Sequence, residues 1–217
     1  MAFKIGIIGT GKMSERMADT IVRMPEAELY AVASRTEEKA EAFGKKYHAV
    51  KCYGSYDAVM EDAEVQLIYI AIPNHLHYEV ARACIQHGKP VLLEKPFTLN
   101  EQQAQALIDL AEMHQVFLCE AMWTRFMPLN LRLQKELQNG RIGEITAVTA
   151  NLGYDIKEKE RVSRLDMGGG ALLDIGVYPI TFALQMLGNE LDNLSTSMVR
   201  LNSGVDAQEC INLTYAN

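Results

Sequence analysis

Four cysteines, Cys52, Cys84, Cys119 and Cys210, are scattered over 217 residues without CxxC spacing. That scarcity excludes a disulfide or zinc-ribbon framework and reads as reduced core thiols of a cytoplasmic protein. His75 and His77 have no third ligand at metal spacing, so no metal is expected. A basic stripe is also missing: 21 Lys and Arg stand against 28 Asp and Glu, a formal charge of −7, which disfavours a nucleic-acid partner. The longest strongly apolar run, Leu67 to Pro73, is too short to span a bilayer, so no membrane association is expected. Met1 to Gly9 leads into a glycine turn without a small-residue cleavage site, and neither repeats nor low-complexity segments occur. What is present is 48% hydrophobic and 23% charged residues, the balance of a globular chain with a real core. The length suits one complete domain and a smaller or incomplete second.

The first half alternates between two periodicities. Phe3 to Ile8, Glu28 to Ala33, Gln66 to Ile72, Pro90 to Leu93 and Val116 to Cys119 are short and mostly apolar, as strands covered on both faces are. Between them, Lys12 to Met24, Glu37 to Tyr47, His75 to His87 and Leu99 to His114 have helical spacing, with Thr36, Asn74 and Thr98 at expected N-caps. This alternation predicts a doubly wound parallel sheet over residues 1–120.

Near Glu120 the pattern changes, and residues 121–217 read as a partial α+β domain with an open, mostly antiparallel sheet. A helix to Gln138 is expected first, then a turn at Asn139-Gly140 and a strand over Glu144 to Leu152. Asp155 to Asp166 reads as a charged surface loop, and an apolar helix follows Gly168-Gly169-Gly170 to about Leu187. Strands are expected near Ser195 to Leu201 and Gln208 to Tyr215. The last has no following partner, so the domain reads as incomplete, and its open edge invites pairing with a second chain.

Three clusters carry chemistry. Gly9 and Gly11, in Gly9-Thr10-Gly11-Lys12-Met13-Ser14, let the backbone approach a diphosphate at the positive start of a helix; Ser14 replaces the third glycine of the usual fingerprint. An ordinary strand-to-helix turn is the plain alternative. The second strand ends in Ser34-Arg35-Thr36 rather than in Asp or Glu, which favours the 2′-phosphate of NADP over NAD, while Glu37 or Glu38 on an NAD ribose is the alternative. Glu94-Lys95-Pro96 stands at the carboxyl end of a strand, where open α/β sheets place their ligand crevice.

Asp174 and Tyr178 are four residues apart, on one helix face within an apolar run; a core Tyr satisfied by an Asp is the bland reading. Pro179 predicts a kink there. A tyrosine acting as general base near neutrality needs its reference pKa of about 10 lowered by roughly 3 units, or about 4 kcal/mol. One ammonium about 4 Å away at an effective dielectric near 20 supplies roughly that much. Lys95 is the candidate ammonium, and Asp174 is expected beside it, holding the lysine in place.

The order of these motifs, with Pro73-Asn74-His75-Leu76-His77 between them and Gly168-Gly169-Gly170-Ala171-Leu172-Leu173 before Asp174, resembles the glucose-fructose oxidoreductase / inositol dehydrogenase (Gfo/Idh/MocA) family. Glu120-Ala121-Met122-Trp123-Thr124-Arg125-Phe126 is similar to its branch of dimeric dihydrodiol dehydrogenases and NADP-linked xylose dehydrogenases. The resemblance implies a Rossmann domain followed by an α/β domain whose sheet commonly forms a dimer interface. It makes Lys95 and Tyr178 the catalytic pair with Asp174 in support. Gly9, Gly11, Lys12, Met13, Ser34, Arg35, Pro73, Asn74, His77, Glu94 and Lys95 would bind the cofactor, with Trp123 and Arg125 near the nicotinamide and substrate. Tyr178, where many members have His, favours the diol and aldose branch.

The expected activity is hydride transfer between NADP, or NAD, and a secondary alcohol or hemiacetal carbon of a sugar, polyol or cyclic trans-diol. The expected assembly is a homodimer or higher homo-oligomer through the C-terminal sheet. A silent dinucleotide-binding sensor or partner subunit is the alternative, with imine or tetrapyrrole reduction on the same scaffold behind it.

Overall fold

The computed structural model describes residues 2–216. By its internal contacts the chain divides into two units, Met1–Ala121 and Met122–Asn217.

The first unit is a six-stranded parallel sheet of β1 (Phe3–Ile8), β2 (Ala27–Ala33), β3 (Lys51–Tyr53), β4 (Leu67–Ile70), β5 (Val91–Glu94) and β6 (Leu118–Ala121), in the order β3-β2-β1-β4-β5-β6. The direction of strand addition reverses between β1 and β4, which opens a crevice beyond their carboxyl ends. Helices α1 (Lys12–Ile21), α2 (Glu37–Tyr47), α3 (Tyr56–Glu61), α4 (His77–Gln86) and α5 (Glu101–His114) connect the strands. Successive strand residues face opposite sides, so the sheet has two cores. Ile5, Ile7, Val32 and Tyr69 pack with Ala18, Ile21, Ala40 and Phe43 of α1 and α2. Ile8, Ala31, Ala33, Ile70 and Leu93 pack with Val59, Ala81, Ile85 and Leu107 of α3, α4 and α5.

Some boundaries differ from the sequence reading. β3 and α3 were not expected; three residues are too few for a period to register, and α3 is marked only by Ser55, whose hydroxyl accepts from the Ala58 amide at 3.3 Å. α1 stops at Ile21, and a 3₁₀ turn over Asn74–Leu76 precedes α4. Helix α5 is capped by Asn100 rather than Thr98: the Asn100 side chain accepts from the Gln103 amide at 2.9 Å, while Thr98 donates its hydroxyl to the Asn100 carbonyl. Thr36 occupies the cap position of α2 without a side-chain bond.

The second unit opens with a 3₁₀ turn, Trp123–Phe126, and α6 (Pro128–Gln138), whose first residue is a proline that needs no amide partner there. The expected strand at Glu144 to Leu152 does not form: this segment belongs to neither sheet, and an extended run without a ladder partner gains nothing from its strand composition. The charged loop contains a short helix, α7 (Glu160–Ser163). After the glycines comes a π-helical turn, Leu172–Gly176, and then α8 (Val177–Leu187). Pro179 falls in the first turn of α8, with the irregular turn immediately before it, so the proline is absorbed at a junction rather than inside a regular helix.

β7 (Leu191–Arg200) and β8 (Asp206–Tyr215) form an antiparallel hairpin with Thr196 opposite Ile211, and every residue of β7 is exposed. The stretch Leu165–Leu187 is apolar and long enough by composition to cross a bilayer, which exceeds the Leu67 to Pro73 run. It is interrupted by the π turn and carries the buried Asp174, and 11% of its most apolar window is buried among the described residues.

Candidate active site

In the first unit, four strand ends bring the expected residues to the carboxyl edge of one sheet. After β1, Gly9 adopts φ +106°, and a Cβ there would overlap the Ala71 carbonyl oxygen, so only glycine fits. Gly11 caps α1 without any side-chain bond, and nothing lies within 4 Å of where its Cβ would be. The first amides of α1, from Lys12 and Met13 onward, therefore start a helix whose N-cap residue offers them no side-chain acceptor. Ser14 is fully buried, as a glycine substitute in close helix–strand packing must be, and its Oγ has no hydrogen-bond partner among the described residues. Beyond β2, Ser34 is buried with its amide on the Tyr53 carbonyl at 3.0 Å, while Arg35 and Thr36 are exposed.

Beyond β4, Pro73 is exposed and Asn74 begins the 3₁₀ turn. The buried Nδ1 of His75 has no hydrogen-bond partner among the described residues. His77 is 1% exposed, with Nδ1 2.8 Å from the Pro96 carbonyl and Nε2 3.0 Å from the Ile72 carbonyl; a neutral ring carries one N–H and so donates to one of the two. Burial pushes its imidazole below the ordinary range, outweighing the two carbonyls, and the charges of His75 and Lys95 act in the same direction as burial.

At the end of β5, Glu94 is also buried. Its Oε1 accepts from the Tyr69 hydroxyl at 2.5 Å and its Oε2 from the Lys95 amide at 3.1 Å. Burial pushes this carboxyl up, against the hydrogen bonds from Tyr69 and Lys95 and the Lys95 charge, and burial likewise pushes the Tyr69 phenol up. Glu94 thus anchors the turn that presents Lys95.

In the second unit, Trp123 and Tyr178 meet although 55 residues separate them. The indole Nε1 donates to the Tyr178 Oη at 3.1 Å, with the rings edge-on at 72° and 6.2 Å between centroids. Arg125, in the same 3₁₀ turn, is exposed. Asp174 is buried, and its carboxylate takes the Arg161 guanidinium, Nη1 to Oδ1 at 2.6 Å and Nη2 to Oδ2 at 3.4 Å. The half-exposed Arg161, which the sequence read as part of a charged surface loop, supplies a cation to the buried Asp174 carboxylate. Gly169 and Gly170 donate to the Arg164 and Val162 carbonyls at 3.0 and 2.9 Å, which fastens α7 against the start of the helical run, and Asp206 accepts the Leu172 amide at 2.5 Å.

Arg161, Tyr69 and Asp206 escaped the sequence reading. Only Tyr69 carried a signal: a phenol in a fully buried strand requires a partner for its hydroxyl.

The glycine cradle, the uncapped α1 amides and the unpaired Ser14 and His75 atoms at the sheet's switch point fit a dinucleotide. Residues 3–121 match the oxidoreductase family with an NAD-binding Rossmann fold, and residues 130–217 match the GFO/IDH/MocA C-terminal domain. The chain is 34% identical over its full length to a trans-1,2-dihydrobenzene-1,2-diol dehydrogenase of Xenopus tropicalis, and 32% identical over 99% of its length to that of Homo sapiens. It spans 66% and 65% of those two proteins, respectively. A 3-ketoreductase of Actinomadura kijaniata, solved with NADP and TDP-benzene, is similar in structure with a TM-score of 0.87 and 29% identity, covering all of this chain and 67% of that one. Switch-point geometry and both halves of the sequence agree: this chain belongs to the Gfo/Idh/MocA oxidoreductase family.

Proposed function

We propose that this protein is a soluble, cytoplasmic NADP-dependent dehydrogenase acting on a secondary alcohol or hemiacetal carbon of a sugar, polyol or cyclic trans-diol. The observation that carries the reading is the placement of Lys95, presented by buried Glu94, at the carboxyl end of β5, on the same sheet edge as the glycine turn and two strands from it. The trans-diol dehydrogenases and the NADP-bound ketoreductase among its relatives support the substrate class and the cofactor.

The backbone amides that open α1 hold the diphosphate, with Gly9 and Gly11 leaving room for it. Arg35, with Ser34 and Thr36, holds the 2′-phosphate; a bidentate guanidinium is matched to that group. Pro73, Asn74, Trp123 and Arg125 line the nicotinamide and substrate. The nicotinamide, when bound, supplies the carbon that accepts or returns a hydride. Tyr178 takes the hydroxyl proton of the substrate onto its phenolic oxygen. The Lys95 ammonium stabilises the negative charge on that oxygen by Coulomb attraction. Asp174, neutralised by Arg161, supports the arrangement without opposing the phenolate. The exposed apolar residues of the hairpin, Leu191, Leu194, Met198 and Val199, give a homodimer or higher homo-oligomer its contact surface.

Incubation with NADP and a panel of aldoses and trans-diols tests this reading. NADPH formation with at least one of them is expected. Binding of NADPH without turnover on any member would instead make the protein a dinucleotide sensor or partner subunit.

A further inference from the structure

We propose that Trp123 is a positioning residue for proton transfer, its indole N–H holding the Tyr178 oxygen as a hydrogen-bond acceptor and so favouring the phenolate. This rests on the reading of Tyr178 as the general base and adds a role for Trp123 beyond lining the nicotinamide.

Direction is fixed by chemistry. Indole nitrogen donates and cannot accept, so at 3.1 Å the Tyr178 Oη must be the acceptor in either protonation state. A donor aimed at an ionisable oxygen strengthens when that oxygen becomes negative, which shifts the balance toward the anion. The edge-on ring contact restricts rotation of both side chains about this bond.

The geometry is also held from outside the pair. Asn130, on α6, donates through its Nδ2 to the Thr124 carbonyl and to the Gln185 Oε1, both at 3.0 Å. Thr124 follows Trp123 in the 3₁₀ turn, and Gln185 lies two turns beyond Tyr178 on α8. One amide therefore fastens the element carrying the donor to the element carrying the acceptor. Other charged groups nearby on these elements are Asp174, one helical turn before Tyr178 and held by Arg161 of α7, and Arg125 in the Trp123 turn.

Trp123→Phe keeps an aromatic ring and deletes the donor. In the oxidation direction, the limb of the kcat/KM pH profile that reports the base is expected to move up by about one unit, the difference between a charge-assisted and a neutral hydrogen bond. Activity at neutral pH then falls about tenfold and returns in alkaline buffer. A comparable loss at every pH, with the limb in place, would overturn the proposal.

Trp123 is the only tryptophan of the chain, which provides a readout independent of turnover. Its fluorescence is expected to titrate with Tyr178 and to lose that step in Tyr178→Phe; identical titrations in the two proteins would also overturn the proposal. If Tyr178→Phe keeps full turnover, the general-base reading itself fails. If Tyr178→Phe is inactive while Trp123→Phe keeps its limb in place, only the role of Trp123 fails.

Discussion

The two units solve the same problem of placing polar groups by opposite means. Met1–Ala121 encloses its polar groups: among the described residues, every buried apolar side chain except Met122, Val162 and Val205 belongs to it, and Glu94, His77 and Ser34 sit inside that core. Met122–Asn217 has little core, and directs its functional groups through hydrogen bonds and one ion pair between elements far apart in sequence. Rigid packing suits a site that recognises an invariant dinucleotide. Side-chain networks suit the proposed role of Tyr178, which depends on the charge of one oxygen.

The comparison breaks first at Gly9. Gly9→Ala meets both a positive φ and the Ala71 carbonyl, so a loss of about 3–5 kcal/mol is expected. This corresponds to a fall in Tm on the order of 10 °C, with NADPH binding lost. An unchanged melting curve would mean that the first unit is more deformable than its packing implies. Arg161→Gln is expected to cost less, about 1–2 kcal/mol, because the arginine is half exposed although its partner is buried. Denaturant unfolding measures it, and Arg161→Lys should recover part of the loss.

Arg35→Ala should leave stability alone and weaken NADP binding about tenfold relative to NAD, from the loss of one charge-assisted contact. Titration with both dinucleotides decides this, and an unchanged preference would move the 2′-phosphate site elsewhere.

The smallest effect is electrostatic and lies away from the crevice. Burial would raise the Asp62 carboxyl, but Lys51, the Tyr53 hydroxyl and the Glu64 amide overcome it and hold the group at about 2. Because the folded pKa is depressed, the stability it contributes is present above the unfolded value of about 3.9 and is lost as pH falls through about 2. The gap in unfolding free energy between the wild type and Asp62→Asn should therefore be constant near neutrality and close between about pH 4 and pH 2.

What was legible in the sequence follows the same division. Strands β1, β2, β4 and β5 and their helices announce themselves because each is a local pattern buried on both faces. The glycine turn does so because positive φ and a helix start are local requirements. β3 is a three-residue edge strand, too short to carry a period. The cap of α5 was misplaced by two residues between polar neighbours, although Asn100 and Gln103 stand at capping-box spacing.

Glu144 to Leu152 has the right composition for a strand, but pairing is a tertiary property that composition does not supply. Asp174 and Tyr178 were found from their helical spacing. Their partners, Arg161 and the indole of Trp123, were not assigned, since no periodicity relates positions 13 and 55 residues apart.

The central claim is that Lys95 and Tyr178 serve one reacting carbon, and Lys95→Met tests it most directly. Turnover and NADPH affinity should be measured on the same preparation. Turnover is expected to fall at least about a thousandfold, within the range for loss of a group that enables general-base catalysis, while NADPH binding stays within about threefold. Turnover close to wild type in that variant would contradict the account.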